Sequence, residues 1–147
     1  MYDTILVPTD GSDGMARVAE HAIHLARLTD ATLHVLHVVD TSVAPLDAHS
    51  QAVYERLEEA GRTSVAEIHD RAADVGVYAV TAVRQGTPYA EITAYADEND
   101  ADLIVLGTHG RTGLPHALLG SVAERVVQHA DVPVLTVRTL PTSSGAS

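Results

Sequence analysis

Several residue types are missing from this 147-residue chain, and each absence removes a class of chemistry. Without cysteine there is no disulfide framework, thiolate metal site or cysteine nucleophile, which fits a reducing compartment. Tyrosine is the only aromatic residue type, so the chain is poorly suited to stacking nucleic-acid bases. No apolar run approaches the roughly 20 residues of a membrane span, and the first residues do not read as a signal peptide. These absences predict a soluble, cytoplasmic protein with neither a membrane nor a nucleic-acid partner.

Lysine is absent as well, and the formal net charge is −11. A field of this sign repels nucleic-acid backbones and free phosphates alike. An acidic, lysine-free composition is typical of proteins adapted to concentrated salt, where repulsion between carboxylates is screened. An ordinary acidic cytosolic protein from an organism with biased codon usage would have the same composition, so both interpretations stay open.

Short apolar runs alternate with helical patterns along the chain. The runs predict five strands, at residues 4–8, 32–39, 77–83, 102–106 and 133–137. Helical spacing predicts four helices: one through Met15 and Leu25 with Asp13 in its opening turn, one over residues 53–68, one opened by Thr87 and Pro88, and one from Ser121. This alternation is typical of a single α/β domain with an open parallel sheet and right-handed crossovers. We expect that domain at residues 1–140 and a frayed tail at residues 141–147.

Ligands of such sheets bind beyond the carboxyl ends of the strands, and a glycine pattern lies there. Gly107 follows the fourth strand, Gly110 comes three residues later, and after nine more residues Gly120 and Ser121 open the last helix. Glycine lets a ligand approach the backbone, and a helix N-terminus favours phosphate oxygens. Arg111, the one cation of this connection, could offset phosphate charge. The pattern is neither a P-loop nor a dinucleotide G-x-G-x-x-G.

Structural interpretations of the same residues stay open beside the functional ones. Ser121 and Glu124 have the spacing of a capping box, and glycines in a long loop can serve turn geometry alone. Asp10, just past the first strand, can cap the first helix or close an Asx turn. His109 is either a ligand contact or a solvent-facing loop residue.

Taken whole, the pattern resembles the universal stress protein family in its nucleotide-binding branch. The likeness runs from residue 2 to residue 138 and includes residues 5–12, Gly86 to Pro88 and residues 132–137. The resemblance implies an adenine nucleotide alpha hydrolase-like, Rossmann-like sheet of order 3-2-1-4-5, with ATP and Mg²⁺ or Mn²⁺ across the ends of strands one and four. It also implies a homodimer in which Val134 to Val137 pair with their copy across a two-fold axis.

The resemblance assigns the nucleotide contacts in three groups. The base and ribose end takes Pro8, Thr9, Asp10 and the backbone around Val39. The ribose and α-phosphate take Gly107, His109 and Gly110, with Arg111 beside them. The β- and γ-phosphates take Gly120, Ser121 and Val122.

Catalytic groups are few. A G-x-S-x-G elbow is missing, and only Asp10, His109 and Arg111 are available as a base and a charge clamp for hydrolysis. We therefore expect a homodimeric, ATP-dependent regulator or sensor in stress response, without efficient turnover. The alternatives are a slow ATPase or self-phosphorylating enzyme, and a structural dimer that binds no nucleotide.

The nine histidines do not form a metal pattern. His21 and His24 share a helix face but have no obvious third ligand. His34 and His37 lie three apart on a predicted strand and therefore on opposite faces. The histidines are therefore better explained as inert surface residues than as ligands of a structural zinc, and the sequence leaves the residues of any metal site unassigned.

The acidic composition generates a prediction about salt. If the chain is adapted to concentrated salt, its melting temperature falls when the protein is moved from molar KCl into dilute buffer, because unscreened carboxylates repel one another. Thermal unfolding followed by circular dichroism over that range measures the effect. An unchanged melting temperature contradicts the hypothesis.

Overall fold

A five-stranded parallel sheet with two helices on each face forms the protein. The computed structural model describes residues 2–41, 50–109 and 119–139. The strands are β1 (Thr4–Pro8), β2 (Thr32–Asp40), β3 (Ala79–Gly86), β4 (Leu103–Gly107) and β5 (Val134–Val137). The helices are α1 (Met15–Thr29), α2 (Ser50–Asp74), α3 (Pro88–Glu98) and α4 (Ser121–His129).

The strand order β3-β2-β1-β4-β5 confirms the predicted order, and every described pairing is parallel. The chain winds outward from β1 to β3, crosses back, and winds the other way through β4 to β5. The carboxyl ends of β1 and β4, at Pro8 and Gly107, therefore flank the point where the winding reverses. Open sheets of this kind bind ligands in the crevice at that point.

Each face of the sheet has its own hydrophobic core. The core under α1 and α2 includes Ile5, Val7, Val18, Leu33 and Val105. The core under α3 and α4 includes Leu6, Leu36, Ile92, Ile104 and Val126. Because alternate residues of β1 enter opposite cores, the strand is apolar throughout, as a doubly covered parallel strand requires.

Several predicted boundaries are wrong. Asp13 precedes α1, because Gly14 is the N-cap of a helix that starts at Met15, and its first turn has no acidic residue. Helix α2 extends beyond the predicted residues 53–68 at both ends. The third strand starts at Ala79 rather than at Val77, which is buried in the core but follows the positive φ of Gly76 and precedes the strand ladder.

The structure places His34 and His37 on opposite faces of β2, as predicted. The His34 ring packs edge-on against Tyr95 of α3, with the hydroxyl of Tyr95 2.6 Å from Nδ1. The Arg84 guanidinium lies 4.8 Å from the centre of the Tyr95 ring and pairs with Glu98 at 2.7 Å. Burial lowers the pKa of His34 from its ordinary value of 6.5. The ring is therefore neutral at neutral pH, and its Nδ1 can accept from the tyrosine hydroxyl.

This lowered pKa predicts a pH dependence of stability. Between the pKa of folded His34 and 6.5, the unfolded chain binds a proton that the folded chain does not. The stability linked to the neutral ring is complete above pH 6.5 and is lost as the pH falls towards the folded pKa. Between pH 7.5 and 5.5, the free energy of unfolding measured with urea should therefore fall less steeply for His34→Gln than for the wild type. The same change at the exposed His24 should leave the slope as it is, and equal slopes for wild type and His34→Gln would contradict the prediction.

Candidate functional site

The chain leaves β1 through a turn made by its own side chains. The N–H of Thr9 donates to the carbonyl of Leu36 at 2.8 Å, which continues the β1–β2 ladder past Pro8. The hydroxyl of Thr9 accepts from the N–H of Gly11 at 3.1 Å, and Oδ1 of Asp10 accepts from the N–H of Ser12 at 2.9 Å. Asp10 thus closes an Asx turn, which confirms one of its two structural interpretations. Its other proposed role as a helix cap is wrong, because α1 has Gly14 as its N-cap.

The chain leaves β4 in contact with both β5 and α4. The N–H of Thr108 donates to the carbonyl of Val137 at 2.9 Å, and the N–H of Gly120 donates to the carbonyl of Thr108 at 2.6 Å. The next residue, His109, is only 8% exposed, and its Nδ1 lies 3.0 Å from the Thr108 hydroxyl. The solvent-facing interpretation of His109 is therefore wrong.

Helix α4 begins beside this strand end. Gly120 is its N-cap, so Ser121 is the first residue inside the helix. The capping box of Ser121 and Glu124 is therefore wrong by one position: the N–H of Glu124 donates to the carbonyl of Gly120 at 2.9 Å. The side chains of Ser121 and Val122 are exposed. The first turn of a helix carries N–H groups without partners inside the helix, and these groups attract anions. In this structure the first turn of α4 lies next to the end of β4.

Thr139 joins these segments, although no sequence pattern marks it as a site residue. Its hydroxyl accepts from the N–H of His109 at 3.2 Å and donates to the carbonyl of His109 at 3.0 Å. Its own N–H donates to the hydroxyl of Thr108 at 3.2 Å. Its side-chain carbons fill the space that a Cβ would need at Gly107 and at Gly14. We call this arrangement of Thr139 with Gly14, Gly107, Thr108 and His109 the Thr139 clasp.

The clasp changes the interpretation of Gly107. A Cβ on Gly107 would lie 2.6 Å from Cγ2 of Thr139 and 3.3 Å from Cγ2 of Val18. The protein's own packing therefore requires glycine here, without any ligand. Ser121 differs, because it caps nothing and its side chain is exposed.

Most of the predicted site residues lie at one edge of the sheet. Pro8 ends β1 and is followed by Thr9 and Asp10, and the buried Val39 lies near the end of β2. Gly107 ends β4 and is followed after one residue by His109. Gly120, Ser121 and Val122 join them through the hydrogen bond between Gly120 and Thr108. Gly110 and Arg111 lie outside the described residues.

Among residues 2–41, 50–109 and 119–139, no three histidine, aspartate or glutamate side chains are grouped as metal ligands. No helix in the same ranges is long and apolar enough to cross a membrane. A cavity of about 460 Å³ lies between α2 and β3, and its lining includes Glu58, Arg62, Thr81 and Gln85. It contains none of the predicted site residues.

The fold and this edge define an α/β protein whose candidate ligand site lies at the switch point of a parallel sheet. The chain belongs to the universal stress protein family, whose model matches residues 1–138. The universal stress protein MJ0531 of Methanocaldococcus jannaschii is 41% identical to it over 141 residues, which cover 94% of this chain and 83% of that protein.

Solved structures agree with this assignment. The protein MJ0577, also from Methanocaldococcus jannaschii, superposes with a TM-score of 0.85 at 31% identity, covering 97% of this chain and 99% of that chain. A universal stress protein solved in complex with cAMP superposes with a TM-score of 0.69 at 28% identity, covering 95% and 98%. The family and the fold expected from the sequence are confirmed.

The Thr139 clasp predicts a stability effect. Thr139→Val keeps the branched side chain over the glycines but removes the hydroxyl that pairs with both backbone groups of His109. Leaving such groups unpaired should lower the free energy of unfolding by about 1–3 kcal/mol, as measured by urea denaturation. The matched control is Thr136→Val on β5, for which we expect a change within about 0.5 kcal/mol. Equal effects of the two substitutions would contradict the clasp.

Proposed function

We propose that this chain binds an adenine nucleotide, ATP with Mg²⁺ or Mn²⁺, at the edge of the sheet where β1, β4 and α4 meet. The observation that carries the proposal is the start of α4, where the exposed Ser121 lies in the first turn and is not the N-cap. The hydrogen bond between Gly120 and Thr108 holds this helix end against β4. A family member solved with cAMP supports an adenine nucleotide as the ligand class.

In this proposal, the residues that follow β1 receive the base and ribose. Thr9 and Asp10 belong to a turn fixed by its own hydrogen bonds, next to Pro8, and the buried Val39 contributes backbone at the end of β2. A turn ordered before the ligand arrives lowers the entropic cost of binding.

The residues around β4 and α4 receive the phosphates. His109 and Gly107 lie at the ribose and α-phosphate. Ser121 and Val122 offer N–H groups to the terminal phosphates, and Gly120, whose own N–H donates to Thr108, lies beside them. Gly110 and Arg111 complete the group by their position in the sequence, since they lie outside the described residues. The net charge of −11 opposes a free polyphosphate, so binding should depend on the divalent cation and on ionic strength.

We further propose a homodimer that forms through β5. Within the described ranges, β5 pairs with β4 on one edge only, and its Leu135 is 38% exposed. A strand with one unpaired edge is a template for pairing with a second copy. The dimer would act in the cytoplasm as a regulator or sensor that responds to nucleotide occupancy.

The proposed activity is binding without efficient turnover. The competing proposals are a slow ATPase or self-phosphorylating enzyme, and a structural dimer that binds no nucleotide. Phosphate release clearly above that of an Asp10→Ala variant would favour the enzyme. The packing reason found for Gly107 favours the structural dimer, so a direct binding measurement must decide.

The test is a calorimetric titration of ATP with Mg²⁺ into nucleotide-stripped protein in molar KCl, with ADP, AMP and adenosine in parallel. Affinity that falls as phosphates are removed supports the proposal. Absence of heat and of any change in melting temperature, for protein shown to be folded, favours the structural dimer.

Ser121→Asp should affect the stability of the protein and its affinity for ATP in opposite directions. A carboxylate in the first turn of α4 interacts favourably with the helix dipole, so the melting temperature should stay the same or rise. The same carboxylate repels the terminal phosphates, so ATP affinity should fall at least about tenfold while adenosine affinity is unchanged. Calorimetry and thermal unfolding measure the two effects.

Gln128→Asp is the matched control for this substitution. It adds the same charge to the exposed side of the last turn of α4, where a carboxylate is unfavourable to the helix dipole. It should lower the melting temperature slightly and leave ATP affinity within about twofold. Equal loss of ATP affinity in both variants would mean that net charge, rather than the helix end, sets the affinity.

A further inference from the structure

Helix α2 contains a glycine in its interior, where glycine lowers helix stability relative to alanine. Gly61 lies between Ser50 and Asp74 and is buried. A Cβ at this position would collide with the His37 ring: it would lie 2.9 Å from Cγ and 3.1 Å from Nε2, and Cδ2 would be closer still. The helix therefore has a glycine where an imidazole of β2 needs the space.

The other side of the His37 ring faces the candidate site. Its Nδ1 lies 2.8 Å from the carbonyl oxygen of Thr9 and donates a hydrogen bond to it. This carbonyl belongs to the peptide group that joins Thr9 to Asp10, in the turn that follows β1. Thr9 is 5% exposed, so a lost donor would leave its carbonyl in a place with little access to water.

The peptide group held by His37 is the first one of that turn. The hydroxyl of Thr9 accepts from the N–H of Gly11, and the carboxylate of Asp10 accepts from the N–H of Ser12. These two bonds fix the turn internally, and the His37 bond fixes the turn relative to β2 and α2. One imidazole thus ties three elements together at the carboxyl end of β1.

We infer that His37, with the space that Gly61 leaves for it, is a positioning residue that orients the peptide group between Thr9 and Asp10 for the nucleotide. The inference rests on the proposed function. His37 itself needs no contact with the ligand, because it acts through the direction in which Asp10 leaves β1.

Substitutions of His37 test the hydrogen bond. His37→Leu removes the donor and keeps an apolar side chain, whereas His37→Asn places an amide N–H where Nδ1 stands. We expect ATP to bind about five- to tenfold more weakly to His37→Leu, and within about twofold of wild type to His37→Asn. His24→Leu, at an exposed position of α1, is the control and should bind as wild type does.

Gly61→Ala tests the role of the glycine. Helix propensity alone favours alanine, but the added methyl group should push the His37 ring away from Thr9 and weaken ATP binding about as His37→Leu does. In a His37→Ala background the collision is gone, so adding Gly61→Ala should change affinity by less than about twofold. Equal effects of Gly61→Ala in both backgrounds would overturn the inferred contact.

A second readout works without nucleotide and separates the two proposals. Amide hydrogen exchange at Gly11 and Ser12 reports the order of the turn, and exchange at Leu106 in β4 reports global unfolding. Faster exchange at Gly11 and Ser12 alone, in His37→Leu and Gly61→Ala, supports the positioning role. If both variants show this exchange pattern but the wild-type protein binds no ATP, the proposed function fails. The control of the turn by His37 then still stands.

Two results would overturn the inference. One is exchange at Gly11 and Ser12 that stays at the wild-type rate in both variants. The other is faster exchange combined with unchanged ATP affinity in a wild type that binds ATP, since the order of the turn would then have no consequence for the ligand.

Discussion

The burial of β1 on both faces is the constraint on which the rest of the structure depends. Ile5, Leu6 and Val7 are completely buried, because helices cover the sheet from both sides. The buried middle of such a strand has no room for polar side chains, so they come at its ends: Thr4 at the start, and Thr9 and Asp10 just after Pro8. The reversal of winding beside β1 opens that same end to a ligand. Burial and topology thus concentrate the polar chemistry of this part of the chain at one edge.

The Thr139 clasp and the His37 bond show how that edge is held. In both, a side chain that was not among the predicted site residues forms a hydrogen bond with backbone groups of the site. Thr139 follows β5 by two residues, so the order of the segment after β4 depends on β5 staying in register with β4. If β5 pairs with a second copy, the dimer contact lies two residues from the clasp. Such proximity gives a physical route between assembly and the candidate site, through the register of β5.

Much of the fold could be predicted from the sequence, because buried parallel strands and amphipathic helices have strong patterns. The errors have physical causes. Val77 packs in the core from the turn before β3, so its apolar character marked it as strand. The end of β3 is polar at Arg84 and Gln85, because an edge strand leaves part of its surface to solvent. The strand was therefore predicted to end at residue 83 rather than at Gly86. The sequence predicted which residues belong to the candidate site but not what holds them in place. Thr139 lies in no recognisable sequence motif, because its contacts depend on the register of β5 against β4.

Glycines are weak evidence for a ligand in this protein, because the packing explains several of them. Gly14 and Gly107 leave space for the side chain of Thr139, and Gly61 leaves space for that of His37. Part of the glycine pattern would therefore be needed even in a chain that binds no ligand. Ser121 is a different case. With Gly120 as the N-cap, its hydroxyl is not needed to start α4, and its side chain is exposed at a helix end that attracts anions. The residue that discriminates between a nucleotide site and a structural dimer is therefore this serine, rather than any of the glycines that make the motif visible.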